Sequence, residues 1–265
     1  MTTSTNIAST NWSGAVLTAA SRESFSTVSA EWVVPTVSQV PIKGVTTSDV
    51  SEWVGLDGYN SADVCQAGIL ETVQTSVHGG TRISCSAFDE WYPTGSSSIA
   101  ASSFRVNPGD TIKVTVETAG VGATKASFVF DDVTTGKIYD SSLTAPSGTS
   151  LKGNSAEFVV ETPEWISGNH ASQPLLSNFL NSPVVFQNAS ATYQNGVAAG
   201  LSSAQSIGMF TDEVPGSYGY AQEAFGSVQA RSDTVRVTEN HYWPSTSSDS
   251  IALIGNNHWS TNHWL

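Results

Sequence analysis

A chain of 265 residues with a formal charge of −13 and a sequence pI near 4.5 suits one large domain, and its negative field argues against a nucleic-acid partner. Only 12% of residues are Asp, Glu, Lys or Arg, about half the usual share, and the abundance of Ser, Thr, Gly and Asn fits an all-β protein better than a helical one. No apolar run reaches the length of a membrane span, so no membrane partner is expected. In acid the carboxylates protonate and few Lys or Arg are left in excess, so the composition is compatible with an acidic working environment.

Residues 1–10 are small and polar and read as a flexible N-terminus. They lack the charged, apolar and small-residue order of an export signal, so the expected extracellular location supposes a leader or propeptide absent from this sequence. Order is expected from Asn11-Trp12-Ser13-Gly14, where small residues after Trp12 let a backbone approach closely. Phe25 to Val34 alternates as a strand and stops at Pro35, and Val37 to Asp49 reads as a loop.

The stretch from Trp53 to Pro93 organises the chain. Trp53-Val54-Gly55-Leu56-Asp57-Gly58 ends in a turn, and Gln66, Gly68, Leu70 and Thr72 then share one face of a second strand. His78-Gly79-Gly80 supplies a reversal, after which Arg82 to Tyr92 alternates again, so an antiparallel hairpin is predicted. A centre near Gly79 sets Gln66 roughly opposite Glu90 to Tyr92, Cys65 near Tyr92 and Cys85 near Thr72. The two cysteines then read as unpaired thiols.

Further runs follow at Ser98 to Val106, Thr111 to Glu117, Ala126 to Asp131 and Lys137 to Asp140. In Ala156 to Pro163, a strand turns Glu157, Val159 and Glu161 to one face and Phe158 and Val160 to the other, with the two carboxylates roughly 13 Å apart. Trp165 to Ser182 reads as irregular or briefly helical. Val184 to Phe186, Ala191 to Tyr193, Ile207 to Phe210, Gly226 to Ala230 and Thr234 to Thr238 read as strands. One sandwich over 11–243 and a C-terminal extension over 244–265, possibly an added edge strand, complete the expected organisation. Five scattered histidines and two cysteines show no metal-ligand spacing, so neither a metal nor a cofactor is expected.

The segments N-W-S-G-A, E-W-V-V-P, W-V-G-L-D-G with Q-A-G, F-D-E-W-Y-P, N-P-G-D-T-I-K-V-T-V and A-E-F-V-V-E-T-P, in this order, resemble the glutamic peptidases (eqolisins), in particular their bacterial branch. The resemblance spans Asn11 to Thr238. It implies a concanavalin A-like β-sandwich whose two curved antiparallel sheets form a substrate groove, and endopeptidase cleavage of polypeptides in acid by a monomer. It implies Gln66 and Glu161 as the catalytic pair, with Glu157 as the alternative carboxylate. It implies Trp12, Ser13, Gly14, Trp53, Asp57, Gly68 and Glu90 as groove residues. Phe88 stands where the family usually has Trp, and Ser86 where it has an acidic residue.

With no G-x-S-x-G and no Cys-His signature, water is the expected nucleophile, activated by Glu161 and opposed by the Gln66 amide. Two other classes fit the same architecture. A carbohydrate-binding module would use the exposed Trp residues and treat Asp57-Gly58-Tyr59-Asn60 as a calcium loop, and a glycoside hydrolase would pair Glu90 with Glu161.

Overall fold

The computed structural model describes residues 7–9, 11–39, 46–76, 78–163, 165–167, 170–172, 175–177, 179, 182–209, 223–230 and 233–242. The chain opens with β1 (Ile7–Ser9), β2 (Trp12–Thr18), β3 (Phe25–Val33), β4 (Thr47–Asp57), β5 (Val64–Thr75), β6 (Thr81–Trp91) and β7 (Thr94–Ser98). Then come β8 (Thr111–Thr118), β9 (Lys125–Asp132), β10 (Lys137–Thr144), β11 (Ser155–Glu161), β12 (Trp165–Ser167), β13 (His170–Ser172) and β14 (Leu175–Leu176). β15 (Val184–Tyr193), β16 (Ala198–Ala199), a 3-10 turn at Leu201–Ser203, β17 (Gln205–Met209), β18 (Glu223–Ala230) and β19 (Val235–Tyr242) complete it.

The strands form two large sheets and a small one in which β12 pairs with β13. One runs β1-β17-β2-β11-β4-β5-β6-β7, with β14 beside β4; the other runs β10-β9-β8-β3-β15-β19-β18, with β16 beside β15. Pairing is antiparallel except at β1 with β17 and β14 with β4. The expected all-β sandwich is therefore observed.

Alternation decides which side chains meet between the sheets. Val54, Leu56, Ala67, Ile69, Phe158 and Val160 from the first sheet pack into one core with Trp32, Val114, Phe128, Phe130 and Phe186 from the second. Each large side chain so buried contributes roughly 1.5–3 kcal/mol. At one edge Asp89, on β6, accepts a 2.5 Å hydrogen bond from Ser141 Oγ of β10 and ties the two sheets together. The opposite face of the first sheet carries a second apolar cluster, Trp12, Val16, Trp53, Val64, Phe88, Val159 and Ile207.

Hairpin β5–β6 turns through Ser76 to Gly80, where Gly79 has φ +85° and the Ser76 hydroxyl accepts from the Gly80 N–H at 3.1 Å. Its register places Gln66 opposite Glu90, Cys65 opposite Trp91 and Cys85 opposite Glu71. The hairpin thus pivots about His78, one residue earlier than Gly79. Both cysteines are free, Cys65 buried and Cys85 partly so.

Several expectations change. Ile7–Ser9, assigned to a loose terminus, forms β1 because the edge of β17 offers backbone partners. The supposed loop to Asp49 gives way to β4 from Thr47. Only Ser98 of the Ser98–Val106 run is in a strand; Ile99, Phe104 and Val106 fold inward from a turn and join the core. Trp165 to Ser182 contributes three short strands rather than a helical turn. The two runs at Val184 and Ala191 are one strand, β15, whose register against β3 shifts between Gln187 and Ser190. The extension at 244–265 lies outside the described residues.

Candidate active site

Directly opposed residues of neighbouring strands share a face, so the outer face of the first sheet is built in rows. One row holds Gln205, Val16, Glu157, Gly55, Gln66 and Glu90. The next holds Ile207, Gly14, Val159, Trp53, Gly68 and Phe88, and the third Trp12, Glu161, Ser51, Leu70 and Ser86. Gln66 and Glu161 therefore flank a middle row in which Gly14 and Gly68 contribute no side chain.

Neither glycine has room for one. A Cβ at Gly14 would overlap the Phe158 carbonyl, and one at Gly68 would overlap the Glu52 carbonyl and the Trp53 side chain. The close backbone approach predicted after Trp12 is made to β11. At Gly68 the approach is to β4.

Gln66 is buried, and its Nε2 donates to Glu90 Oε2 at 2.7 Å while its Oε1 has no donor among the described residues. Burial raises the Glu90 carboxyl to about 8, against a smaller downward pull from Gln66. In acid, Glu90 is thus a neutral group that fixes the Gln66 amide.

Glu161 is also buried, with donors on both oxygens. Trp53 Nε1 reaches Oε2 at 2.7 Å and Asn11 Nδ2 reaches Oε1 at 2.9 Å. Burial pushes its pKa well above the ordinary glutamate range, the Trp53 and Trp12 indoles draw it back, Glu90 raises it, and Asn11 lowers it. The influence of Glu90 links Glu161 electrostatically to the Gln66 side of the face.

The other sequence-derived residues divide between groove face and frame. Trp12 and Trp53 stand on the groove face with ring centroids 4.9 Å apart, edge to face. Trp53 is fully buried and spends its N–H on Glu161, so it supports the carboxylate rather than offering a surface to a ligand. Ser13 points to the opposite face, where its hydroxyl accepts from the Met209 N–H at 2.9 Å. A groove role for its side chain is not borne out.

Asp57 lies opposite Val64 but offers no exposed carboxylate to a ligand. It is fully buried at φ +67°, and its oxygens accept from the Lys152 and Asn154 N–H groups at 2.7 and 2.9 Å, anchoring the segment before β11. Glu157 is on the groove face but fully buried, raised by burial and by Asp57, and lowered by Ser155 and the Tyr59 backbone. Its electrostatic neighbour is the frame, not Glu90.

Sequence reasoning named Asn11 only as the first ordered residue and gave it no role in the site. Its place follows from the structure, where Asn11 immediately precedes the residue that pairs with Glu161. Among the described residues, no group of three or more His, Cys, Asp or Glu is arranged to hold a metal. No described helix is long and apolar enough to cross a membrane.

The model of the peptidase A4 family matches residues 10–238. The chain belongs to the peptidase A4 family. It is 32% identical to scytalidopepsin B of Scytalidium lignicola over 196 residues, covering 74% of this chain and 68% of that protein. It is 31% identical to aspergillopepsin-2 of Aspergillus niger over 212 residues, with the same two coverages. The fold matches that of scytalido-glutamic peptidase crystallised with a transition state analog inhibitor, with a TM-score of 0.68, 24% identity and coverage of 87% and 98% of the two chains. Aspergilloglutamic peptidase from Aspergillus niger matches with a TM-score of 0.56 and 27% identity over 73% of this chain and 99% of that one. This A4 peptidase is accordingly a glutamic peptidase, a hydrolase of polypeptides.

Proposed function

We propose that this A4 peptidase is a secreted, monomeric, acid-acting endopeptidase that uses Glu161 and Gln66 to activate water, without a metal. The observation that carries the reading is the contrast between the two candidate carboxylates. Glu161 is held by two donors, and Glu90, which would raise it only once ionised, holds Gln66. Glu157 is acted on instead by Ser155, Asp57 and the Tyr59 backbone.

In the reaction, the Glu161 carboxylate takes a proton from a water whose other hydrogen the free Gln66 Oε1 can accept. The water oxygen bonds to the scissile carbonyl carbon, and the second Nε2 hydrogen of Gln66 stabilises the resulting oxyanion. Glu161, now protonated, passes its proton to the amide nitrogen as the C–N bond breaks, leaving a carboxylic acid and an amine. Gln66 cannot titrate, so one carboxylate can act as base and then acid.

The test is cleavage of an unfolded protein at about pH 4, with pepstatin and a chelator present, by the parent, Glu161→Gln and Gln66→Ala. Cleavage by the parent alone is the expected result. Full activity in either variant removes that residue from the mechanism.

A further inference from the structure

We propose that Asn11 is a positioning residue for Glu161, and that strand β1 and the turn after it form part of the catalytic apparatus because they deliver Asn11. This deepens the Gln66/Glu161 reading and rests on it. The argument begins at the sheet edge. β1 pairs in parallel with β17, so that Ile7, Ala8 and Ser9 lie opposite Ile207, Gly208 and Met209. β17 in turn pairs with β2, whose Trp12 lies opposite Glu161. The chain must therefore reverse within two residues of Ser9, and Asn11 stands in that reversal.

Hydrogen bonds with Ser9 and Thr162 fix it there. The Ser9 hydroxyl lies 3.3 Å from Asn11 Oδ1 as a donor and accepts from the N–H groups of Asn11 and Trp12 at 3.3 and 3.0 Å. The Asn11 carbonyl accepts from the Thr162 N–H at 3.0 Å, directly after Glu161. With its oxygen turned to Ser9, the Asn11 amide presents Nδ2 to Glu161 Oε1.

Trp53 occupies the other oxygen, so the carboxylate is gripped at both ends. Two fixed donors set the plane of the carboxylate, and rotation about its last bond breaks both hydrogen bonds at once. A general base needs this because proton transfer is sensitive to heavy-atom geometry. Trp53 comes from the sheet itself. Asn11 comes from a three-residue edge strand, so the grip depends on β1 staying docked.

Hydrogen bonds to a carboxylate favour its charged form, so losing one raises its pKa. Glu90 is the other titratable group acting on Glu161, and Asn11→Leu leaves it in place. Leucine is close to Asn in size and donates nothing.

The experiment measures pH profiles of kcat and kcat/KM for the parent, Asn11→Leu, Ser9→Ala and Glu161→Gln. In parallel, the Glu161 carboxyl is titrated by 13C NMR, with its signal assigned by its absence in Glu161→Gln. Asn11→Leu should lower kcat about 10- to 100-fold with KM little changed, and should move the acidic limb and the Glu161 midpoint up by about one pH unit or more. Ser9→Ala should move both the same way by less. A loss of rate with an unmoved Glu161 midpoint overturns the proposal, because a merely structural role would give that result. An active Glu161→Gln refutes the underlying mechanism, and the NMR midpoint then still decides whether Asn11 governs the carboxyl.

Discussion

Glu52 and Glu71 should make the fold lose stability as pH rises from acid to neutral. Both are fully buried on the core side of the first sheet, where Glu71 lies opposite Val50 and Glu52 opposite Ile69, one diagonal step apart. Apart from each other, the Trp32 indole and their own backbone, no donor among the described residues serves their four carboxylate oxygens. As two anions the pair could not satisfy each other; with Glu71 protonated, it donates to Glu52. Burial, offset in part by hydrogen bonds from Glu71, Trp32 and the Glu52 backbone, raises Glu52 from 4.5 to about 8, and burial with the Glu52 charge raises Glu71 further. Cys85, opposite Glu71, is itself raised by burial and by both carboxyls, with a smaller contribution from Asp110, so it offers no compensating charge.

The sign follows from which state holds the proton. Below pH 4.5 folded and unfolded chains both carry it, and Glu52 has no effect on the pH dependence. Between 4.5 and about 8 the unfolded chain releases it and the folded one keeps it, so stability falls by about 1.4 kcal/mol per pH unit. The whole window is worth on the order of 5 kcal/mol, comparable with the total stability of many domains, roughly 5–15 kcal/mol. Urea unfolding followed by tryptophan fluorescence at pH 4, 6 and 8 measures the slope. Glu52→Gln, which cannot ionise, should flatten it by one proton. An unchanged slope in Glu52→Gln would show that the Glu52 carboxyl is already ionised in the folded protein and refute the reasoning.

Three further outcomes are expected. Gly68→Ala should destabilise the fold by about 2–4 kcal/mol in chemical denaturation, because the added methyl overlaps backbone that belongs to a neighbouring strand. Asp57→Ala should cost about 2–4 kcal/mol of stability by orphaning the Lys152 and Asn154 N–H groups, while KM for a peptide substrate stays within about threefold if Asp57 is frame rather than groove. Glu90→Gln, which keeps a neutral acceptor for Gln66, should retain most activity at about pH 4, whereas Glu90→Leu should lose about tenfold or more in kcat by freeing the Gln66 amide.

Much of the site was legible because parity along a strand is a local property. The alternation of β11 correctly sends Glu157, Val159 and Glu161 to one face and Phe158 and Val160 to the other. The glycines after a hairpin-length run bring Gln66 opposite Glu90, although the five-residue turn at Ser76 to Gly80 moves the centre by one position. Parity also held a signal that went unread. Val50, Val54 and Leu56 mark the core face of β4, and Glu52 lies between them; Ile69 and Val73 do the same for Glu71. What local pattern cannot supply is pairing between distant segments. Asn11 meets Glu161 across 150 residues of sequence, and Asp57 is buried where the chain at 152–154 returns to claim its oxygens.

The buried carboxyls on both faces of this one sheet favour the same pH range. In the proposed mechanism Glu161 must ionise to accept a proton, yet burial alone would keep it protonated; Trp53, Trp12 and Asn11 reduce that penalty. Gln66 adds no charge, and Glu90 adds none until the pH approaches about 8. Once ionised, Glu90 would raise Glu161 further and compete for the Gln66 amide as an anion, drawing Nε2 away from a developing oxyanion. On the core side Glu52 ionises near the same value. A rise in pH therefore weakens the chemistry on one face and the packing on the other through separate groups. Glu90→Gln should correct only the first, and Glu52→Gln only the second.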